Sequence, residues 1–232
     1  GVAQFLDTRG IGELIGWLQE GYDTIQRYDK VYSDWMATPE SIKTTSVKPS
    51  GTVSLLAGAT PGMHFPESQY YIRRMRLGIH SDLVEPLKDA GYNIESAFGN
   101  EKTTLVVEIP VYVGDKIRTV KEVSMWEQLS LAALLQRHWS DNQVSSTVSF
   151  DPKKEGHQIR HALDYFQYHL KAVSLLPRIE EGAYPQMPYE AITKEKYEET
   201  ASKLKPINFG RVYNERANVD KFCDSNVCEI VT

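Results

Sequence analysis

The sequence predicts an α/β fold. Three observations carry that expectation. Segments with the two-residue alternation of strands exchange with segments of 3.6-residue period through the middle of the chain. At 41% hydrophobic and 25% charged residues the composition is that of a chain that folds around a core. A length of 232 residues suits one large domain or two small ones. Strands and helices in alternation imply parallel crossovers.

The elements follow in order. Ile11, Leu14, Ile15, Leu18, Tyr22, Ile25, Tyr32 and Trp35 recur at helical spacings, with a break expected near Gly21 and an end before Pro39. Ser41 to Val47, rich in Ser and Thr with apolar alternation, reads as a short strand running into Lys48-Pro49-Ser50-Gly51-Thr52. Val53 to Ala57 is a short helix ended by Gly58. Tyr70 to Leu77 alternates as a strand and carries Arg73, Arg74 and Arg76. Ser81 to Ala90 is helical, with Gly91 as its stop. Thr104 to Val113 is dense in Val, Ile and Leu, a strand whose second half Pro110 consigns to an edge or a bend. Ser124 to Trp139 is a helix and Asn142 to Phe150 a strand. Glu155 to Leu170 is a helix with Ile159, Leu163, Phe166 and Leu170 on one side, and Lys171 to Leu176 is a strand stopped by Pro177. Tyr184 to Pro188 is an irregular loop, and Thr193 to Leu204 a polar helix. From Asn208 onward no period is visible, so the chain divides into a folded part, 1–207, and a flexible tail, 208–232.

Composition excludes several roles. Twenty-six Lys and Arg against 31 Asp and Glu leave a net charge of −5, which argues against direct binding to a nucleic-acid backbone. The apolar runs, such as Leu129 to Leu135, fall far short of the roughly 20 residues of a membrane span. Gly1-Val2-Ala3-Gln4 shows neither an initiating Met nor a signal-peptide pattern. Two cysteines cannot make a disulfide scaffold and point to a reducing, cytoplasmic compartment.

Two constellations could carry chemistry. In Pro49-Ser50-Gly51-Thr52-Val53-Ser54, Ser50 is a good N-cap, Gly51 permits close backbone approach, and N–H groups with three hydroxyls suit a phosphate. Many helices begin this way and bind nothing, so the pattern alone does not decide. Cys223-Asp224-Ser225-Asn226-Val227-Cys228 places two thiols four polar-rich residues apart near the C-terminus. Zinc would need two further Cys or His ligands, absent from the last 60 residues, so a reversible redox pair or two incidental thiols remain. His157 and His161 lack the intervening Glu of a zinc-hydrolase helix and read as surface or core residues. Glu180-Glu181 reads as a solvated loop, and the three arginines serve either an anion or ordinary ion pairs.

Together these residues resemble a known family. Ser41 to Gly58, with Lys48-Pro49-Ser50-Gly51-Thr52 at its centre, is similar to the substrate-phosphate segment of adenosylcobalamin-dependent (class II) ribonucleotide reductases. Gly62-Met63-His64, Tyr70 to Arg74, Trp126-Glu127-Gln128, Asp141 to Ser145 and Gly182 to Tyr189 follow as family blocks, and the terminal cysteine pair resembles the tail that re-reduces the active site. The form of the loop is closest to the monomeric branch, which reduces ribonucleoside triphosphates.

The resemblance implies a ten-stranded α/β barrel built from two half-barrels, of which this chain supplies the C-terminal portion. It implies that Ser50, Gly51, Thr52, Val53 and Ser54 bind the substrate phosphates, and that Cys223 and Cys228 are shuttle thiols re-reduced by thioredoxin or a similar reductant. Lys171 to Leu176 holds no tyrosine, unlike the radical-relaying strand of the tyrosyl-radical class, which favours adenosylcobalamin as the cofactor. No cysteine precedes Cys223, so the family's radical cysteine and reductant pair must come from an upstream reductase chain or half-barrel. The chain is then a fragment or one component of a naturally split enzyme. The alternatives are a non-catalytic nucleotide-phosphate-binding module and a large-subunit fragment of the tyrosyl-radical class.

Overall fold

A computed structural model describes residues 1–50, 53–178 and 185–211 of the chain. It opens with two helices, α1 (Val2–Arg9) and α2 (Ile11–Met36), separated at Gly10, whose φ of 85° a side chain would resist. The sequence gives no periodic signal for α1. The break expected at Gly21 does not occur. Glycine there serves packing instead, since a Cβ would stand 3.1 Å from the Trp139 ring. The long helix stops at Met36, where Ala37 turns left-handed at φ 51° ahead of Pro39. Ser41 to Val47 is extended but is not a strand of a sheet: its ladder is one parallel bridge, Val47 to Val144.

A short α3 (Val53–Leu56) leads to an antiparallel unit made of β1 (Tyr70–Gly78), α4 (Val84–Asp89), β2 (Asn93–Ser96) and β3 (Thr104–Tyr112). Later in the chain β6 (Tyr189–Ala191) completes a four-stranded sheet in the order β2-β3-β1-β6. This corrects the expectation of parallel crossovers throughout. The alternation of Tyr70 to Leu77 and Thr104 to Val113 is that of a one-face-buried sheet, which antiparallel strands satisfy. β2 pairs only with Leu105 to Glu108, so residues 109–112, Pro110 among them, have no neighbour on that side among the described residues. The sheet is closed at one end by an aromatic group: Tyr70 stacks on Tyr112 at 4.8 Å, and Tyr197 of α7 (Lys194–Ala201) meets Tyr70 at 5.3 Å.

Parallel pairing belongs to the second unit. α5 (Met125–His138) starts at the cap Ser124, whose hydroxyl accepts the Glu127 N–H at 3.1 Å, and is followed by β4 (Thr147–Phe150), α6 (Ile159–Phe166) and β5 (Ser174–Pro177). β4 and β5 are parallel neighbours with α6 as the crossover. α6 buries Ala162 and Phe166, whereas Leu163, expected on the buried side, is exposed. α5 lies between the two apolar groups. Leu131 and Leu135 pack with Leu14, Met63, Phe65 and Val144, while Met125 and Leu129 pack with Val148, Phe150 and Phe166. A fully buried leucine such as Leu135 contributes about 1.5–3 kcal/mol. The described residues form no closed barrel. Residues Phe209–Arg211 make a single 3-10 turn, and the remainder of the expected tail lies outside the described residues.

Candidate functional site

The extended segment before Ser50 is held at its side chains. The Asp141 carboxylate accepts the Thr44 N–H at 2.9 Å, the Thr44 hydroxyl at 3.0 Å and the Tyr22 hydroxyl at 2.8 Å. The Thr44 backbone bond, foremost among these, holds the Asp141 carboxyl below the ordinary carboxylate value, and the same carboxylate raises the Tyr22 phenol. Trp139 donates from its indole nitrogen to the Ser46 carbonyl at 3.1 Å, the Thr45 hydroxyl donates to the Trp139 carbonyl, and the Asp141 N–H returns to the Thr45 hydroxyl at 3.0 Å. The turn after α5 thus aligns 44–47 parallel to 142–145.

After Val47 the segment leaves β4. The Val47 carbonyl takes the Ser145 N–H at 2.9 Å, but the next two edge donors of β4 are met by side chains. Thr147 N–H donates to His64 Nε2 at 3.0 Å, and Ser149 N–H to Gln128 Oε1 at 3.0 Å, while Gln128 Nε2 donates back to the Ser149 carbonyl at 2.8 Å. Backbone pairing along this edge therefore ends at the carboxyl end of the 44–47 segment, the kind of position where parallel α/β structures bind ligands. Lys48, Pro49 and Ser50 follow directly on that segment.

Ser50 lies at φ 50°, and its carbonyl accepts both the N–H of Ser54, at 3.4 Å, and the Ser54 hydroxyl. Val53 is 68% exposed and Ser54 is buried. Gly51 and Thr52 lie outside the described residues. Beneath the loop runs Gly62 at φ 54°, so close that a Cβ would be 2.6 Å from the Lys48 carbonyl oxygen. Gln4 of α1 fastens the far side of that turn, donating to Gly58 and Val113 carbonyls and accepting the Thr60 N–H at 2.8 Å.

The remaining candidates do not converge here. Arg74 pairs with Glu108 at 2.7 Å and with Glu190, whereas Arg73 lies over the Tyr189 ring at 4.5 Å and donates to the Pro188 carbonyl. Successive strand residues face opposite ways, so Arg73 and Arg74 make no common anion site, and Arg74 is taken up by its two carboxylate partners. His157 and His161 are exposed, as expected, and the described residues contain no group of ligands able to hold a metal ion. Glu180, Glu181, Cys223 and Cys228 lie outside the described residues. Sequence reasoning missed Gln4 and the parts played by Gln128 and Asp141, both of which it named only within family blocks. Only Gln128 carries a signal, being a polar residue on the otherwise apolar face of α5.

No protein-family model matches the chain. Individual relatives do. It is 53% identical, over its whole length, to a probable adenosylcobalamin-dependent ribonucleoside-triphosphate reductase of Dictyostelium discoideum, of which it covers 31%. It is 52% identical over 98% of its length to the adenosylcobalamin-dependent ribonucleoside-triphosphate reductase of Euglena gracilis, covering 32% of that protein. The Lactobacillus leichmannii enzyme of the same name is 39% identical over 79% of the chain, which covers 25% of it. The chain thus spans about a third or less of the length of these relatives. Its fold matches a crystal structure of a B12-dependent (class II) ribonucleotide reductase with a TM-score of 0.74 and 38% identity, over 88% of this chain and 28% of that one. In both sequence and fold the chain therefore matches one part of the adenosylcobalamin-dependent ribonucleoside-triphosphate reductases.

Proposed function

We propose that this chain is the C-terminal component of a ribonucleotide reductase that converts ribonucleoside triphosphates to 2′-deoxyribonucleotides by radical chemistry. In this reading Ser50, Gly51, Thr52, Val53 and Ser54 bind the substrate phosphates. Cys223 and Cys228 re-reduce the active site, and an upstream part of the enzyme supplies the radical cysteine. The observation that carries it is that Lys48 to Ser50 follow an extended segment held parallel to 142–145, in a chain matched over its whole length by a relative of that name. Hydroxyls and backbone donors at the carboxyl end of a parallel segment suit a polyanion. A reducing compartment, the cytoplasm, fits free thiols, and among the described residues no helix is long and apolar enough to cross a membrane.

Adenosylcobalamin, when bound to the assembled enzyme, supplies the radical. The residues here fit that source, because β5 carries Ser174, Leu175, Leu176 and Pro177 and has no tyrosine to relay a radical from another subunit. The tyrosyl-radical alternative is not favoured, since the relatives are named for the cobalamin cofactor. For the tail, one cysteine thiolate attacks the disulfide formed at turnover, and releases one of its thiols. The second tail cysteine then attacks the mixed disulfide, releases the other thiol and leaves the oxidised pair on the tail, which a thioredoxin-type dithiol reduces.

The test uses the assembled enzyme. Cys223→Ser and Cys228→Ser should each abolish multiple turnover with thioredoxin yet keep a single turnover of the pre-reduced enzyme, with a small dithiol restoring part of the steady rate. Gly51→Val should weaken triphosphate binding. Normal cycling of either cysteine variant with thioredoxin, or loss of even the first turnover, overturns the shuttle role. Unchanged nucleotide affinity of the Gly51 variant overturns the phosphate role.

A further inference from the structure

His64 stands between the loop and β4, and its two ring nitrogens have different partners. Nε2 accepts the Thr147 N–H at 3.0 Å, so the ring proton must lie on Nδ1, which is 3.2 Å from the Pro61 carbonyl oxygen and donates to it. This arrangement holds only for the neutral ring, and burial, the larger influence, lowers the imidazole pKa while the Pro61 carbonyl raises it. The turn that His64 fixes is itself rigid. Met63 and Phe65 on either side are anchored in the core, and the next residue back, Gly62, lies directly against the Lys48 and Pro49 backbone. Displacement of the turn must therefore displace the loop.

We propose that His64 is a positioning residue for the substrate phosphates, coupling β4 to the Lys48-Pro49 backbone ahead of Ser50 through the Pro61–Gly62 turn. The inference rests on the reading of that loop as the phosphate site. His64 does not touch substrate. It sets where the Lys48-Pro49 backbone lies, and a small displacement of a binding group is costly in binding. Gln128 performs the neighbouring task on Ser149 but reaches from α5, and among the described residues its hydrogen bonds go to Ser124 and Ser149, so the coupling runs through the imidazole.

The experiment compares His64→Ala, His64→Gln and Gly51→Val in the assembled enzyme, with a ribonucleoside triphosphate as the probe. Glutamine can present an acceptor oxygen near the position of Nε2. His64→Ala should raise KM by about tenfold with kcat nearly unchanged, comparable to one lost hydrogen bond to a charged group, and His64→Gln should recover most of that loss. If Gly51→Val weakens binding while His64→Ala leaves KM unchanged, positioning by His64 is wrong and the phosphate loop stands. If Gly51→Val has no effect, the loop reading itself fails. Equal losses in the alanine and glutamine variants, with KM unmoved and thermal stability lowered, would show a merely structural histidine and overturn the proposal.

Discussion

At the scale of the residue, Asp141 shows how much local order one side chain can hold. Its two carboxylate oxygens collect a phenol, a hydroxyl and a backbone N–H from α2 and the segment before the loop. Those donors favour the charged form, so its folded pKa lies below its unfolded one. The stabilisation is accordingly full above the ordinary carboxylate value and is lost as pH falls through the depressed folded value. Asp141→Asn should remove that acid-side dependence and weaken the fold at neutral pH by about 1–2 kcal/mol, the low end for charged hydrogen bonds because the site is partly solvated. Urea unfolding of both proteins between pH 3 and pH 7 checks this. A parallel pair of stability curves would remove Asp141 from the account. The adjacent block Asp141 to Ser145 was legible in the sequence as a motif, but nothing in it disclosed that its first residue is tied to Tyr22.

At the scale of the element, β4 is a strand with a borrowed neighbour. One edge pairs with β5, and along the other edge an imidazole and an amide serve the Thr147 and Ser149 N–H groups, after a backbone carbonyl has served Ser145 just ahead of the strand. Gln128 contributes both a donor and an acceptor, as a strand residue would, from a buried site on α5. Gln128→Leu should keep the apolar packing of α5 while leaving the Ser149 N–H and carbonyl unpaired, at about 1–3 kcal/mol for each group that water cannot reach. The check is hydrogen exchange at Ser149 together with the unfolding midpoint. Unaltered protection of that amide would mean water already occupies the edge. Helix periods and caps made α5 readable at Ser124, and Gly91 and Pro177 ended their elements as expected. The extended 41–47 segment was misread as a strand because alternation reports which side chains are buried, not whether a backbone neighbour is present.

At the scale of the whole molecule, several large apolar side chains remain in solvent. Trp35 is 76% exposed and Ile42 96%, and Trp35, Tyr32 and Tyr28 form a continuous row of ring contacts on α2. Exposed apolar surface of this kind marks association. The chain alone should therefore lack reductase activity and self-associate. Adding the upstream part of the family enzyme should give one defined complex in which acrylamide quenches Trp35 less, measured against a Trp35→Phe control. A monodisperse monomer with reductase activity of its own would sink the assembly, and an unchanged quenching constant in an active complex would place the contact away from α2.

The sequence by itself carried the resemblance to the reductases in its motifs, and determined the order of most helices and strands and the Ser50 to Ser54 and Cys223 to Cys228 candidates. Those rest on local periods, on caps and on runs of residue types, which neighbouring positions carry among themselves. Only the tertiary structure decided that α2 passes Gly21 unbroken, because the reason is the Trp139 ring more than a hundred residues away. It alone decided that the larger sheet is antiparallel, since β6 joins β1 from across the chain. It alone decided that His64 and Gln128 fill the edge of β4. Each of these depends on which distant groups meet in space, and hydrophobic alternation is the same whichever partner a strand finds.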